Sequence, residues 1–191
     1  MKSTDTPAAT TRAAANEPSS AALAYTSAQA ILDEFERELI TTRTFIERIP
    51  AERLTWRPHE KSMTAGQLAL HIAQTLGGVV RFAIADEETA PDFSGERPQP
   101  ANGREVLDTL DRSAAYVRQT LPSWDDARMR AAFTIVRDGR TLMSMPRALF
   151  LRNILLNHVY HHRGQLGVYL RLVGAKVPPS YGPSGDESPF A

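Results

Sequence analysis

The sequence predicts an all-α protein: a four-helix bundle, with at most a small β-hairpin before the last long helix. Three observations predict it. Four segments repeat apolar residues at steps of three and four, the period of a helix buried on one side. The stretches between them carry the Pro, Gly and acidic residues that break helices. The 191 residues suffice for one domain with its own core, and no repeat of solenoid period divides them.

The elements follow in order. Met1 to about Ser20 is rich in Ala, Thr, Ser and Pro and poor in large apolar residues, so residues 1–22 read as a disordered tail and 23–191 as the domain. Helix one is expected over Tyr25 to Ile49, with Ile31, Phe35, Leu39, Thr42, Phe45, Ile46 and Ile49 inward and Pro50 ending it. Ser62 is placed to cap helix two, which runs from about Thr64 to Ala85. The segment from Asp86 to Gly103 is a loop by every local signal. Helix three fits Arg104 to about Leu121, stopped by Pro122. Asp138-Gly139 lies between β-branched runs and signals a short hairpin or an ordered loop. Helix four starts near Pro146, where proline is tolerated in a first turn, and ends near Val173, capped by Gly174.

Composition removes several function classes. Lys plus Arg and Asp plus Glu both number 22, so no net charge draws the chain to nucleic acid or an anionic membrane. There is no cysteine, which excludes disulfides, thiolate metal sites and a cysteine nucleophile. Any thiol chemistry must use a thiol from outside. No apolar run approaches the roughly 20 residues of a membrane span, and the N-terminus lacks the apolar core of a secretory signal. A cytoplasmic location is expected.

Three of the five histidines fall in the last helix: His158, His161 and His162. On a wheel with His158 at zero and about 100° per residue, His162 lies near +40° and His161 near −60°. Leu151, Ile154, Leu155, Tyr169, Leu172 and Val173 centre the apolar face near +20°, so His158 and His162 straddle it while His161 sits on the shoulder. Arg163 falls on the opposite face. A histidine pair one turn apart can chelate one ion, and can equally be two hydrogen-bonded structural imidazoles.

A third histidine weighs on that choice. His71 lies in helix two, sharing its side with Thr64, Gln67, Leu68, Thr75, Gly78, Val79 and Phe82, a mixed face suited to a cavity. His71, His158 and His162 together make a candidate set of metal ligands. Three neutral imidazoles leave coordination positions open, the pattern of catalytic rather than structural sites. Zn, Ni, Fe, Mn and Co all accept imidazole, so ligand type does not choose the metal; Zn and Ni are the ones expected first. Val159 stands where a zincin has its glutamate base, and the helix lacks the inward glutamates of di-iron bundles.

The segments "LTWRPHEKSMTAGQLALHIA" and "LLNHVYHHRGQLGVYLRLVGAKVPPSYGPSGDE" together resemble the DinB/YfiT-like family of metalloenzymes, across most of Tyr25 to Glu187. The resemblance implies a four-helix bundle, commonly a homodimer, with a divalent metal held by His71, His158 and His162. Relatives include thiol-dependent transferases and isomerases that use mycothiol, bacillithiol or glutathione. The function expected is therefore a metal-dependent, thiol-using S-transferase or isomerase acting on a small molecule. The alternatives are a metal-assisted hydrolase, with Asp186 or Glu187 as base, and a non-catalytic metal- or ligand-binding protein of stress responses. Gln165 lies inward, one turn beyond the pair, as a residue that orients a bound ligand or satisfies an imidazole. Trp56 reads as a plug at a helix junction and His59 as a solvated loop residue. Arg163 reads as a surface or dimer ion-pair partner, and Tyr181 and Asp186 as a cover or an anchor in the closing loop.

Overall fold

The computed structural model describes residues 27–188; the expected N-terminal tail lies outside them. The chain is mainly helical, with a small mixed sheet at one end. Helix α1 spans Ser27–Glu47 and buries Ala28, Ile31, Phe35, Leu39, Thr42, Phe45 and Ile46, the stripe its period predicts. A short 3₁₀ turn at Ala51–Arg53 leads toward α2, Ala65–Phe82.

The cap of α2 is Thr64 rather than Ser62. Thr64 Oγ1 accepts from the Gln67 N–H at 3.0 Å, and Gln67 Oε1 accepts from the Thr64 N–H at 3.0 Å. Only the residue three before Gln67 can close both bonds of a capping box.

The segment expected as loop contains strand β1, Glu87–Thr89. Helix α3, Gly103–Thr120, is capped by Asn102 and buries Val106, Leu110, Ala114 and Val117. Short helix α4, Asp126–Arg130, follows with Asp125 as its cap. The hairpin signal is met. Strands β2, Ala132–Arg137, and β3, Arg140–Pro146, pair antiparallel. The turn holds Asp138 at φ 50° and Gly139 at φ 72°, the positive-φ pair that two-residue hairpin turns need. Strand β1 adds to β2 in parallel, with Glu87 opposite Thr134. The pure all-α expectation is thus amended by a three-stranded mixed sheet, ordered β1-β2-β3. Only the hairpin part announces itself locally; β1 is three residues held by a partner far along the chain.

The last long helix is a composite. Helix α5, Arg147–Phe150, passes into a π-helical stretch, Leu151–Asn157, and then α6, His158–Leu172. Gly174, at φ 77°, ends it as expected. Helix α2 packs against α3 and α6, and α1 against the same two. The core between them includes Phe35, Leu68, Ile72, Leu110, Leu155 and Leu166. Phe82, Phe133 and Phe150 join the sheet to this core through ring contacts at 4.7–6.4 Å. No helix among the described residues is long and apolar enough to cross a membrane.

Two buried arginines tie elements together. Arg147, 0% exposed, donates to the carbonyls of Ala83, Ala85 and Ala132 and to Asp86 Oδ1. It joins the end of α2 to the sheet and the start of the composite helix. Arg163 is described with the site below.

Gly66, in the first turn of α2, allows a close approach. A Cβ there would meet Gln99 Nε2 at 2.7 Å, the Leu54 carbonyl oxygen at 2.9 Å and Pro100 Cγ at 2.9 Å. Gly66→Ala is expected to destabilise the fold by about 1–3 kcal/mol, since a backbone oxygen cannot swing aside. A lower midpoint in urea with unchanged slope is the expected reading.

Candidate metal centre

Helices α2 and α6 bring His71, His158 and His162 together. One ligand atom from each lies within 4.8 Å of the others. The rings meet edge to face: His71 and His158 centroids are 5.1 Å apart, His71 and His162 4.7 Å, and His158 and His162 4.3 Å. The two α6 residues are one helical turn apart, so their rings leave one side of the helix together. Thr75 Oγ1 donates to the His71 carbonyl at 2.7 Å, within the same helix.

The cluster is set at the edge of the core. His162 is buried, while His71 and His158 are half-buried. Gln67 and Thr75 beside His71 are half-buried, and Gly78 is exposed. The mixed face seen in the sequence is therefore a rim that opens outward.

Burial is the first cause of the site's electrostatics. Desolvation, then the fields of His162, His158 and Arg97, lower the pKa of His71 to about 4. Desolvation, then His162 and His161, lower that of His158 to about 4. His162 is lowered too, by burial first; its bond to Gln165 opposes the shift, and His161 and Arg97 add to it. All three imidazoles are neutral at pH 7, the state a metal ligand requires.

The donors fit a divalent cation. Nε2 of His158 and Nε2 of His162 face each other at 2.8 Å. Gln165 Oε1 lies 2.6 Å from His162 Nδ1; with that nitrogen protonated and donating, the lone pair of Nε2 points into the cluster. In that tautomer the contact between the two rings has His158 Nε2–H donating to His162 Nε2; Nδ1 of His158 is buried without a partner among the described residues and can take the proton instead, which frees Nε2 for an ion. Bonds of about 2.0–2.1 Å to a tetrahedral ion set the nitrogens about 3.3 Å apart, so the His158–His162 pair would open from 2.8 Å, and no pair would have to close from more than 4.8 Å.

Depressed histidine pKa values make acid sensitivity predictable in sign. Unfolded, His71 and His158 take protons near 6.5; folded, they resist until about 4. The unfolded chain therefore binds more protons between those values, so stability is full above about pH 6.5 and falls toward pH 4. Chelator-treated protein is expected to melt progressively lower across that window. His71→Gln should show a shallower decline.

The other singled-out residues divide. Gln165 is exposed rather than inward, yet it reaches back to His162. His161 is exposed, its ring 4.9 Å from that of His162. His59 is exposed in its loop, and Nδ1 accepts from the Lys61 N–H at 3.2 Å. Trp56 meets Tyr169 edge to face at 5.6 Å, a junction contact between the turn before α2 and α6.

The expectation for Arg163 is overturned. It is 2% exposed. Its guanidinium pairs with Glu38 Oε2 at 2.6 Å and donates to Tyr181 Oη at 2.8 Å and Thr42 Oγ1 at 3.3 Å. The buried stripe of the last helix is Leu151, Leu155, Leu156, Val159, His162, Arg163, Leu166 and Leu170, whereas Ile154 and Leu172 are exposed. On the uniform wheel the buried residues of α6 run from about +40° to about +140°, beyond the centre near +20° that Leu151, Ile154 and Leu155 helped to set; those three lie in the π-helical stretch Leu151–Asn157, which does not advance by about 100° per residue.

Tyr181 and Asp186 are anchors. Tyr181 Oη also donates to Glu38 Oε2 at 2.9 Å. Asp186 binds Arg171 at 2.8 Å and the Val177 N–H at 2.8 Å, and Glu187 binds Arg48 at 2.8 Å. The cleft of about 480 Å³ beside this loop is lined by Phe45, Tyr160, Arg163 and Tyr181, not by the histidine cluster. Arg97, whose charge helps to lower the pKa of His71 and His162, is an exposed arginine in a Pro-rich loop and carries no sequence signal.

Fold and cluster define a class: a helical protein whose facing helices supply three imidazoles able to hold a metal. The model of the DinB family matches residues 24–189, and the chain belongs to that family. It is 25% identical over 158 residues to the uncharacterized protein YrdA of Bacillus subtilis, covering 82% of this chain and 89% of that one. It is 26% identical over 156 residues to the uncharacterized protein YjoA of the same organism, covering 79% and 94%. A crystal structure of a DinB-like protein from Bacillus cereus superposes with a TM-score of 0.62 at 24% identity, covering 79% of this chain and 95% of that one; the likeness is one of fold.

Proposed function

We propose that this chain is a four-helix-bundle enzyme that uses a divalent metal at His71, His158 and His162, Zn or Ni foremost, to transfer or isomerise a small molecule with the help of an external thiol. A homodimer is the assembly proposed with it. The observation that carries the reading is a cluster of neutral imidazoles on an open rim, with no carboxylate in the group.

A bound divalent cation supplies the charge that lowers the pKa of a thiol and holds it as thiolate. The protein's part is distinct. His71, His158 and His162 stay neutral and keep their lone pairs available. Gln165 orients His162. The half-buried rim lets a substrate approach one side of the cluster while the core closes the other. The absence of cysteine leaves no competing protein thiol.

A hydrolase needs a base near the cluster. Asp186 and Glu187, the carboxylates considered for that role, are held by Arg171, Val177 and Arg48, which favours the thiol reading.

The test is an adduct assay with chlorodinitrobenzene and several low-molecular-weight thiols. The thiol proton goes to solvent, the S–C bond forms, and the C–Cl bond breaks with loss of chloride. Zn- or Ni-loaded protein should accelerate this, and chelator-treated protein and His158→Ala should not. A loaded protein inert with every thiol and with an epoxide in place of the chloride would overturn the proposal.

A further inference from the structure

We propose that Arg163 is a positioning residue for the metal centre: its clamp on α1 sets the roll of α6, and with it the direction in which His158 and His162 face His71. The inference rests on the metal reading above and concerns the same site, reached from the α1 side of α6.

The need for a clamp comes first. Ligands must be held within about 0.5 Å and 10–20° of their working geometry. Apolar burial is non-directional, so it does not by itself fix the roll of a helix. The ligand-bearing helix α6 also follows a π-helical stretch, which does not impose the facing that a regular helix would. The histidine side offers no tie of its own. Among the described residues, the hydrogen bonds of His71, His158 and His162 stay within their own helices.

Helix α1 supplies what that side lacks. Glu34, Glu38 and Thr42 stand at four-residue steps, one row of α1, and α6 answers the row. Tyr160 Oη donates to Glu34 Oε1 at 2.5 Å. Arg163, the residue after His162, pairs with Glu38 Oε2 at 2.6 Å and donates to the Glu38 carbonyl and to Thr42 Oγ1, each at 3.3 Å. Tyr181 of the closing loop completes the clamp: its Oη accepts from Arg163 Nη2 at 2.8 Å and donates to Glu38 Oε2 at 2.9 Å. The side chains of Arg163 and Glu38 are 3% and 15% exposed. Salt therefore screens the pair little, and separating it would leave a buried charge unpaired. Directional bonds in that setting resist rotation. Within α6, Arg163 points about 100° round from His162. A roll that loosened the clamp would turn both histidines by the same angle.

The experiment uses the full chain loaded with Co²⁺, with affinity read by competition against a chelator and geometry by the visible d–d bands. The principal variant combines Arg163→Gln with Glu38→Gln, which removes both charges together and leaves neither buried alone. Helical circular dichroism should persist, Co²⁺ affinity should fall roughly tenfold, and the d–d bands should shift. Arg163→Lys keeps the charge without the planar fork and should fall between. Val117→Ala opens a cavity in α3, which carries no ligand; it should melt lower yet bind Co²⁺ with wild-type affinity and bands. Wild-type affinity and bands in the double variant, or equal changes in Val117→Ala, would overturn the role of Arg163 while leaving the metal reading intact. If the double variant does not fold, Arg163→Lys decides, and affinity and bands unchanged from wild type overturn the role. Failure of wild type to take up Co²⁺ would remove both.

Discussion

His158→Ala should purify with metal at background level, where the wild type carries about one ion per chain, its affinity reduced by more than about a hundredfold. Loss of an outer partner of a ligand alone costs 10- to 100-fold, and His158 supplies a nitrogen directly. The fold should survive, because His158 is half-buried at the rim and its Nδ1 bonds to nothing among the described residues. His161→Ala is the matched control: its ring is exposed, and its content of metal should match wild type. Metal analysis of untagged protein, with circular dichroism to show retained helix, reads both. Unchanged metal in His158→Ala would remove the basis for assigning the cluster.

Arg147→Ala should produce the largest loss of stability of any single change considered, about 3–5 kcal/mol. The substitution removes the donor for three carbonyls, buried at Ala83 and part-buried at Ala85 and Ala132, and empties the space of a side chain that is 0% exposed. Unpaired buried acceptors cost more than the bonds were worth. Asp86 itself is exposed whereas Arg147 is not, so Asp86→Asn, which leaves the buried guanidinium without its carboxylate, should also destabilise, though less than Arg147→Ala. For a chain of this length the melting point should drop by roughly 10 °C. Calorimetry on both variants separates the two contributions.

The sequence made the helices legible where one face of each meets the core. In α1 all six apolar or threonine positions expected from Ile31 to Ile46 are buried. The histidine set was legible too, because two imidazoles one turn apart cannot avoid sharing a face and His71 stands among small and polar neighbours. What stayed hidden depended on partners distant in sequence. Strand β1 exists through pairing with β2. Arg163 is buried because Glu38, 125 residues earlier, neutralises it. Ser62 and Thr64 are both plausible caps until Gln67 is seen to answer only the second.

The π-helical stretch has a wider consequence. Helix α5 is fastened to the sheet by Arg147, while α6 must present His158 and His162 to His71. A regular helix would couple those two demands through one rigid rotational phase. The stretch Leu151–Asn157 acts as a phase adjuster between them, so each end keeps its own orientation. Removing a single residue there would turn one end by about 100° and slide it about 1.5 Å relative to the other. The length of that segment, more than the identity of its side chains, is then what sequence change can least afford to alter.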